Sequence, residues 1–283
     1  MRTVLVGFDS AWTQRKRGAL AAVALEDSGS RTLLQEPVAA GFDDAADRIE
    51  CWLERDDRLV VMLDQPTIVP NATGCRDVER LVSSVVARAR GGVQPANTGR
   101  ADMFGPGAPV WRFIKRLEAS LDPTASAQRS IIETYPVLAL LGMGWVCEGS
   151  AVLKYNPERR KTYRPEDWAT LCERLAAEFR NRSFGGLAGW CRRVCLAAAR
   201  PTKGQQDQVD AMLCLLVGLI WQEGGATVQV GSMAGGLMVV PDLCGLTDQF
   251  RARLETLGWA PDAWGIRLDR PYADQLQEAS VDR

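Results

Sequence analysis

Two apolar runs constrain this chain more than anything else in it. Thr3 to Asp9 is apolar and β-branched up to its closing aspartate, and Leu59-Val60-Val61-Met62-Leu63 is wholly apolar and stops at Asp64. A run of that kind has no polar face to offer water, so it reads as a strand buried on both sides. A sheet covered on both faces requires helices, and the rest of the chain supplies them. Ala19–Leu25 and Thr32–Val38 are further strands around the turn cluster Glu26-Asp27-Ser28-Gly29-Ser30, which makes an antiparallel meander at the start. Helical patterns follow at 43–55, 76–90 and 111–121, a strand at 130–135, and helices at 137–141, 165–180, 187–198 and 205–221. A small hairpin is expected from 227–230 and 237–240. The order is that of an α/β protein with a mixed sheet. No repeat or clean linker divides the 283 residues, so we expect one domain over 1–283 with a helical insertion at 140–200.

Two segments fit no regular element. Residues 91–109 form a long Gly/Pro-rich stretch, and 155–164 a basic, proline-flanked connection. Irregular loops of such length are usually functional or mobile.

Composition narrows the chemistry. The chain has no histidine. That removes Ser-His-Asp triads, Cys-His dyads, His-ligated zinc and HExxH metalloproteases. A formal net charge of -1 argues against a protein that coats nucleic acid. The eight cysteines form no CxxC pair, and the apolar start is too short for a secretory signal, so reduced thiols and a cytoplasmic location are expected. The longest uncharged apolar run, Ala211–Trp221, is well short of the ~20 residues that span a bilayer, so no membrane partner is expected.

What remains is carboxylate chemistry. Asp9, Asp64 and Glu133 each stand at or near the end of a predicted strand. Ligands of open α/β sheets bind outside those ends. Taken singly, each acid also suits a turn or a helix cap. Asp207 and Asp210 sit three residues apart on the helix at 205–221. A first-turn role along the helix dipole suffices for Asp207. Asp210 enters a helix apolar nearly all round, where a carboxylate needs a partner: an Arg, a backbone cap or a metal ion. Acids converging in this way repel one another unless a divalent cation neutralises them, and oxygen-only ligands suit Mg²⁺ or Mn²⁺. The set Asp9, Asp64, Glu133, Asp207 and Asp210 is what a two-metal phosphodiesterase needs, with ions about 3.5–4 Å apart.

Five short motifs occur in order: Val6-Gly7-Phe8-Asp9-Ser10-Ala11-Trp12, Leu63-Asp64-Gln65-Pro66, Gly74-Cys75-Arg76-Asp77-Val78-Glu79-Arg80, Glu133-Thr134-Tyr135-Pro136 and Asp207-Gln208-Val209-Asp210-Ala211. Together they resemble a predicted nuclease family with a ribonuclease H-like fold, known as domain of unknown function four-two-nine and distantly similar to RuvC-type resolvases. Gly235 to Pro241 resembles that family's closing hairpin, so the resemblance spans roughly residues 3 to 241. Gln65 departs from the small residue expected after the aspartate. The resemblance implies a five-stranded core whose first three strands are antiparallel. It also implies that Asp9 bridges both metals, that Asp64 and Glu133 flank them, and that Asp210, supported by Asp207, closes the site.

The expected partner is a nucleic acid or nucleotide. Basic residues lie in local groups, from which Arg76, Arg80, Arg112, Lys115, Arg159 and Lys161 are candidates for phosphate contact; solvated surface charge is the alternative for each group. Trp12, Phe104, Trp111, Tyr155 and Tyr163 lie among these segments and suit either base stacking or packing. Two other functions share the core fold. A catalytically inactive scaffold of the same fold would pair Asp9 with an internal arginine. A phosphotransferase of the actin and sugar-kinase type would need a glycine-rich loop after the first strand, where this chain has Ser10-Ala11-Trp12.

Overall fold

A computed structural model describes residues 1–196, 200–260 and 267–269. The meander consists of β1 (Arg2–Asp9), β2 (Gly18–Glu26) and β3 (Arg31–Ala40). Then come α1 (Phe42–Trp52), β4 (Arg58–Leu63), α2 (Asp77–Val86), α3 (Ala101–Phe104), α4 (Pro109–Leu117), β5 (Arg129–Glu133) and α5 (Pro136–Gly142). They are followed by α6 (Pro165–Asn181), α7 (Gly185–Leu196), α8 (Lys203–Gln222), β6 (Thr227–Ser232), β7 (Gly236–Pro241), α9 (Leu246–Leu257) and β8 (Arg267–Asp269). The main sheet has the order β3-β2-β1-β4-β5, antiparallel across the meander and parallel from β1 through β4 to β5. The mixed five-stranded sheet, its flanking helices and the late hairpin are those the sequence leads one to expect. The hairpin β6–β7 gains a third, antiparallel strand in β8.

Several boundaries move for identifiable reasons. Helix α2 ends at Val86, and the turns after it close on Arg90 in the left-handed region. Helix α4 begins at Pro109, whose missing N–H costs nothing in a first turn, and stops before left-handed Glu118. Strand β5 ends at Glu133 because Pro136 opens α5 three residues later. The helix expected over 187–198 covers 185–196, and residues 197–199 lie outside the described residues.

Side-chain alternation divides the core in two. Val4, Val6, Phe8, Leu59, Val61, Leu63 and Ile131 face α1 and α4, with Phe8, Phe42 and Phe113 ring to ring at 5.5–5.6 Å. Leu5, Val60, Met62 and Ile132 face the other way, toward α8. From Val209 to Trp221 every residue of α8 is buried, which is why its sequence is apolar on all sides. It begins at Thr202, whose hydroxyl accepts a hydrogen bond from the Gln205 N–H at 3.2 Å. Gly7 lets it lie directly on β1: a Cβ there would come within 2.2 Å of the Ala211 carbonyl oxygen. That contact, one residue from Asp210 and two from Asp9, brings helix and strand acids to one place. Among the described residues no helix is long and apolar enough to cross a membrane, and all eight cysteines are unpaired.

Candidate active site

β1, β4 and β5 run parallel, so their carboxyl ends share one edge of the sheet. Phe8 pairs with Leu63, and the Asp64 N–H donates to the Phe8 carbonyl at 2.9 Å. Asp9 and Asp64 therefore stand one step further on and in phase, on the face that α8 covers. Asp207 and Asp210 approach from α8. Asp9 is 7 % exposed and Asp210 5 %.

Asp9, Asp64 and Asp210 shift one another. Burial, and then the charges of Asp64, Asp210 and Asp207, push Asp9 well above the usual carboxylate range, with Lys203 pulling the other way. Asp64 is raised likewise by burial and by Asp210 and Glu133. Asp210 is pushed up to about 6 by burial, restrained by hydrogen bonds from Tyr155 and Gln206 and by Lys203. The Tyr155 hydroxyl donates to Asp210 Oδ1 at 2.7 Å and the Gln206 amide donates to Oδ2. Lys203 pairs with Asp207. Among the described residues no group donates a hydrogen bond to the side chain of Asp9 or Asp64, and neither forms an ion pair.

Glu133 lines the same edge but is partnered differently. It pairs with Leu63, so strand alternation puts it out of phase with Asp64; the β5 residue in phase is Thr134. Arg76 takes Glu133 in a two-pronged ion pair at 2.6 and 2.9 Å, and the Thr67 N–H donates to the same carboxylate at 3.1 Å. Arg76 also donates to Glu79 at 2.8 Å and to the Ile68 carbonyl at 3.0 Å, and the Ala96 N–H completes Glu79. Burial opposes the Arg76 charge, and the two carboxylates outweigh it. Glu133 is thus held in an internal ion pair in this structure. Arg76, 1 % exposed, spends its charge on two buried carboxylates within the chain.

A cavity of about 350 Å³ opens against this edge. Asp64, Asp210 and Glu133 line it, with Trp12, Tyr135 and Tyr155 among its walls and Arg159 among its cations. Arg80, Arg112, Lys115 and Lys161 are exposed and lie outside the lining; Arg112 donates to Gln14 at 2.8 Å. Of the aromatics considered for stacking, Trp12 donates to the Asp64 carbonyl at 2.9 Å and packs on buried Phe104. Trp111 donates to the Gly105 carbonyl, and Tyr163 lies under the Arg200 guanidinium. Gln65, the departure noted in the sequence, is buried, with its oxygen accepting from the Ser10 hydroxyl and its Nε2 unpartnered.

Sequence reasoning did not single out Lys203, Gln206 or Glu79, and considered Tyr155 only for stacking or packing. The first three carried a signal, being one helical turn from Asp207, Asp210 and Arg76 respectively. Tyr155 carried none, since 55 residues separate it from Asp210.

A model of the family described as Protein of unknown function (DUF429) matches residues 7–233, which include every acid named above. The chain belongs to that family. No curated protein and no solved structure is significantly similar to it. Membership in DUF429 assigns no activity, so chemistry must be argued from the site. Among the described residues no three His, Cys, Asp or Glu side chains stand in a group ready to hold a metal ion. The donor set of this DUF429 chain nonetheless fits a hard cation by chemistry. Four aspartates face one lysine, and two of the four carboxylates lack any donor. Asp9, Asp64 and Asp210 are the residues that would hold a divalent ion, with Asp207 supporting them.

Proposed function

We propose that this protein is a divalent-metal-dependent phosphodiesterase, a nuclease in the broad sense. One observation carries the reading: Asp9 and Asp64 are in phase at the ends of two central parallel strands with no donor among the described residues, and α8 brings two more aspartates toward them. Burying carboxylates without partners is costly unless something from outside supplies the positive charge. A bound Mg²⁺ or Mn²⁺ would supply it, and would bring Lewis-acid activation of a phosphate oxygen and of water. The chain's own residues divide the remaining work. Tyr155 and Gln206 hold Asp210 in orientation, and Lys203 places a positive charge near Asp9 and Asp207. The Arg76–Glu133 pair fixes the end of β5 beside the site without adding net charge. The ribonuclease H-like resemblance of the sequence supports the same chemistry by analogy.

Calorimetric titration with Mn²⁺ tests the reading before any substrate is known. Saturable binding to the wild type, lost in Asp9→Asn/Asp210→Asn, is the expected result. Hydrolysis of a generic phosphodiester should then require the metal and both aspartates. No binding by either protein would favour the inactive scaffold, in which this edge only recognises a partner.

A further inference from the structure

The cavity beside the acids is divided in a way that the metal site does not need. Its deep side carries Asp64 and Asp210. Its outer side carries Arg90, Lys154 and Arg159, and both arginines are exposed. Among the described residues neither arginine forms an ion pair with a carboxylate, so both charges face the cavity mouth uncompensated. The Lys154 ammonium donates to the Arg90 carbonyl at 2.5 Å, which ties the two segments together. Burial holds Lys154 below its usual range; Cys147 opposes this, and the charges of Arg159, Arg90 and Arg164 add to it. Cations crowded together without acids are an anion site.

A second, independent feature lies in the same cavity. Gln65, Thr134 and Gln206 line it and are 0 %, 1 % and 6 % exposed, and each carries a side-chain polar atom with no hydrogen-bond partner: Nε2, Oγ1 and Oε1. Buried polar atoms left unpaired are rare and costly, and these offer both donors and an acceptor to whatever enters. Trp12 and Tyr135 add aromatic surface, and Val93, Val137 and Met238 add apolar surface. The volume, about 350 Å³, is at the small end of the range of roughly 300–1,000 Å³ found for small-molecule sites. It admits one phosphorylated ring system and not a helix of nucleic acid.

We propose that this cavity binds a single phosphorylated nucleoside unit, with its phosphate on Arg90, Lys154 and Arg159 and its base among Trp12, Tyr135 and the unpaired amides. The unit is either a free mononucleotide or the terminal unit of a chain. The proposal rests on the phosphodiesterase reading for what becomes of the ligand, but not for where it binds. The two irregular segments of the sequence, 91–109 and 155–164, thereby acquire a role, since each contributes to the walls or stands beside them.

The test is calorimetry on the full chain with an equimolar set of nucleoside 5′-monophosphates, the unphosphorylated nucleosides, and linear and circular single-stranded oligonucleotides, each with and without Mn²⁺. Saturable binding of the monophosphates is expected, weakened roughly tenfold or more by Arg159→Ala or Arg90→Ala, each of which removes one charge-assisted contact. Lys161→Ala, on the same segment but outside the lining, should bind as wild type does. The Mn²⁺ isotherm of the free protein should be unchanged by Arg159→Ala. Competition by linear but not circular strands would assign the unit to a chain end; competition by neither would assign it to a free mononucleotide. Equal competition by circular strands, or equal affinity for nucleosides lacking phosphate, would overturn the proposal. Mn²⁺ binding without any monophosphate binding would overturn it too and leave the phosphodiesterase reading standing. Monophosphate binding without Mn²⁺ binding would sink the phosphodiesterase reading and leave the cavity assignment intact.

Discussion

Two groups of buried carboxylates share one edge of the sheet, and they are built on opposite plans. Around Arg76, Glu133 and Glu79 receive a guanidinium and backbone N–H groups, so that their oxygens are paired from within. Around Asp9 and Asp64 no described residue donates a hydrogen bond, and among the described residues only Lys203 offers the four aspartates positive charge. The first plan is complete when the chain has folded. The second holds no such counter-charge, and on our proposal a cation supplies it. Burial alone therefore does not mark a functional acid; burial without an internal partner does.

The comparison breaks most easily at the closed group. Arg76→Met leaves Glu79 and Glu133 buried without their cation, and should cost about 3–5 kcal/mol in urea unfolding. A loss below about 1 kcal/mol would mean that the two glutamates are not held as an ion-pair group. Arg76→Met/Glu79→Gln/Glu133→Gln should recover part of the loss, because neutral amides carry a smaller desolvation cost.

The open group should behave in the reverse sense with pH. Asp210 is raised to about 6 from an ordinary 3.8. Between those values the unfolded chain has released this proton while the folded chain keeps it, so rising pH favours unfolding. The contribution is whole below about pH 4 and is lost as pH passes 6, with a slope of at most about 1.4 kcal/mol per pH unit. Asp9 and Asp64 are raised in the same direction and add to the fall. Metal-free stability curves of wild type and Asp210→Asn should therefore converge at low pH and separate above it, the variant being the flatter. Parallel curves would show that Asp210 does not titrate in this window. With Mn²⁺ present the wild-type dependence should invert, since the ion binds the ionised form.

Removing one charge from the open group isolates its repulsion. In chelator, Asp9→Asn should raise stability by roughly 1 kcal/mol and abolish the stabilisation that Mn²⁺ gives the wild type. A clear loss of stability would mean that Asp9 has a structural partner, and the cation site would fail with it.

How far all this was legible in the sequence follows the same division. The apolar runs before Asp9 and Asp64 showed both the central strands and their ends, because strands buried on two faces leave no room for polar residues. The phase of Glu133 could not be read. Ile131 and Ile132 are both apolar and both buried, on opposite faces, so no alternation shows which face the next residue takes. One residue of phase decided whether that acid joined the aspartates or met Arg76. Arg76 itself was read as a surface cation although Glu79, three residues on, was a candidate partner in plain view. Tyr155 was beyond reach, because nothing local marks a residue that a long irregular connection carries to a distant helix.

That residue also gives the finest test of the comparison. Tyr155 donates to Asp210 Oδ1 at 2.7 Å and is 5 % exposed. A neutral donor of this kind orients a carboxylate and favours its charged form without neutralising it, which is what a cation ligand needs and what Arg76 denies to Glu133. In Tyr155→Phe the ring remains and only the donor is lost, so stability should change by no more than about 0.5–1.5 kcal/mol. The Asp210 carboxyl should titrate at higher pH, carrying the pH window of Mn²⁺ affinity upward with it. Gln206, which donates to the other oxygen, should limit the effect, and Gln206→Leu/Tyr155→Phe should shift the window further than either change alone. A double variant with the wild-type pH dependence would show that Asp210 is held by something other than these two donors. The open group would then need a partner within the chain after all.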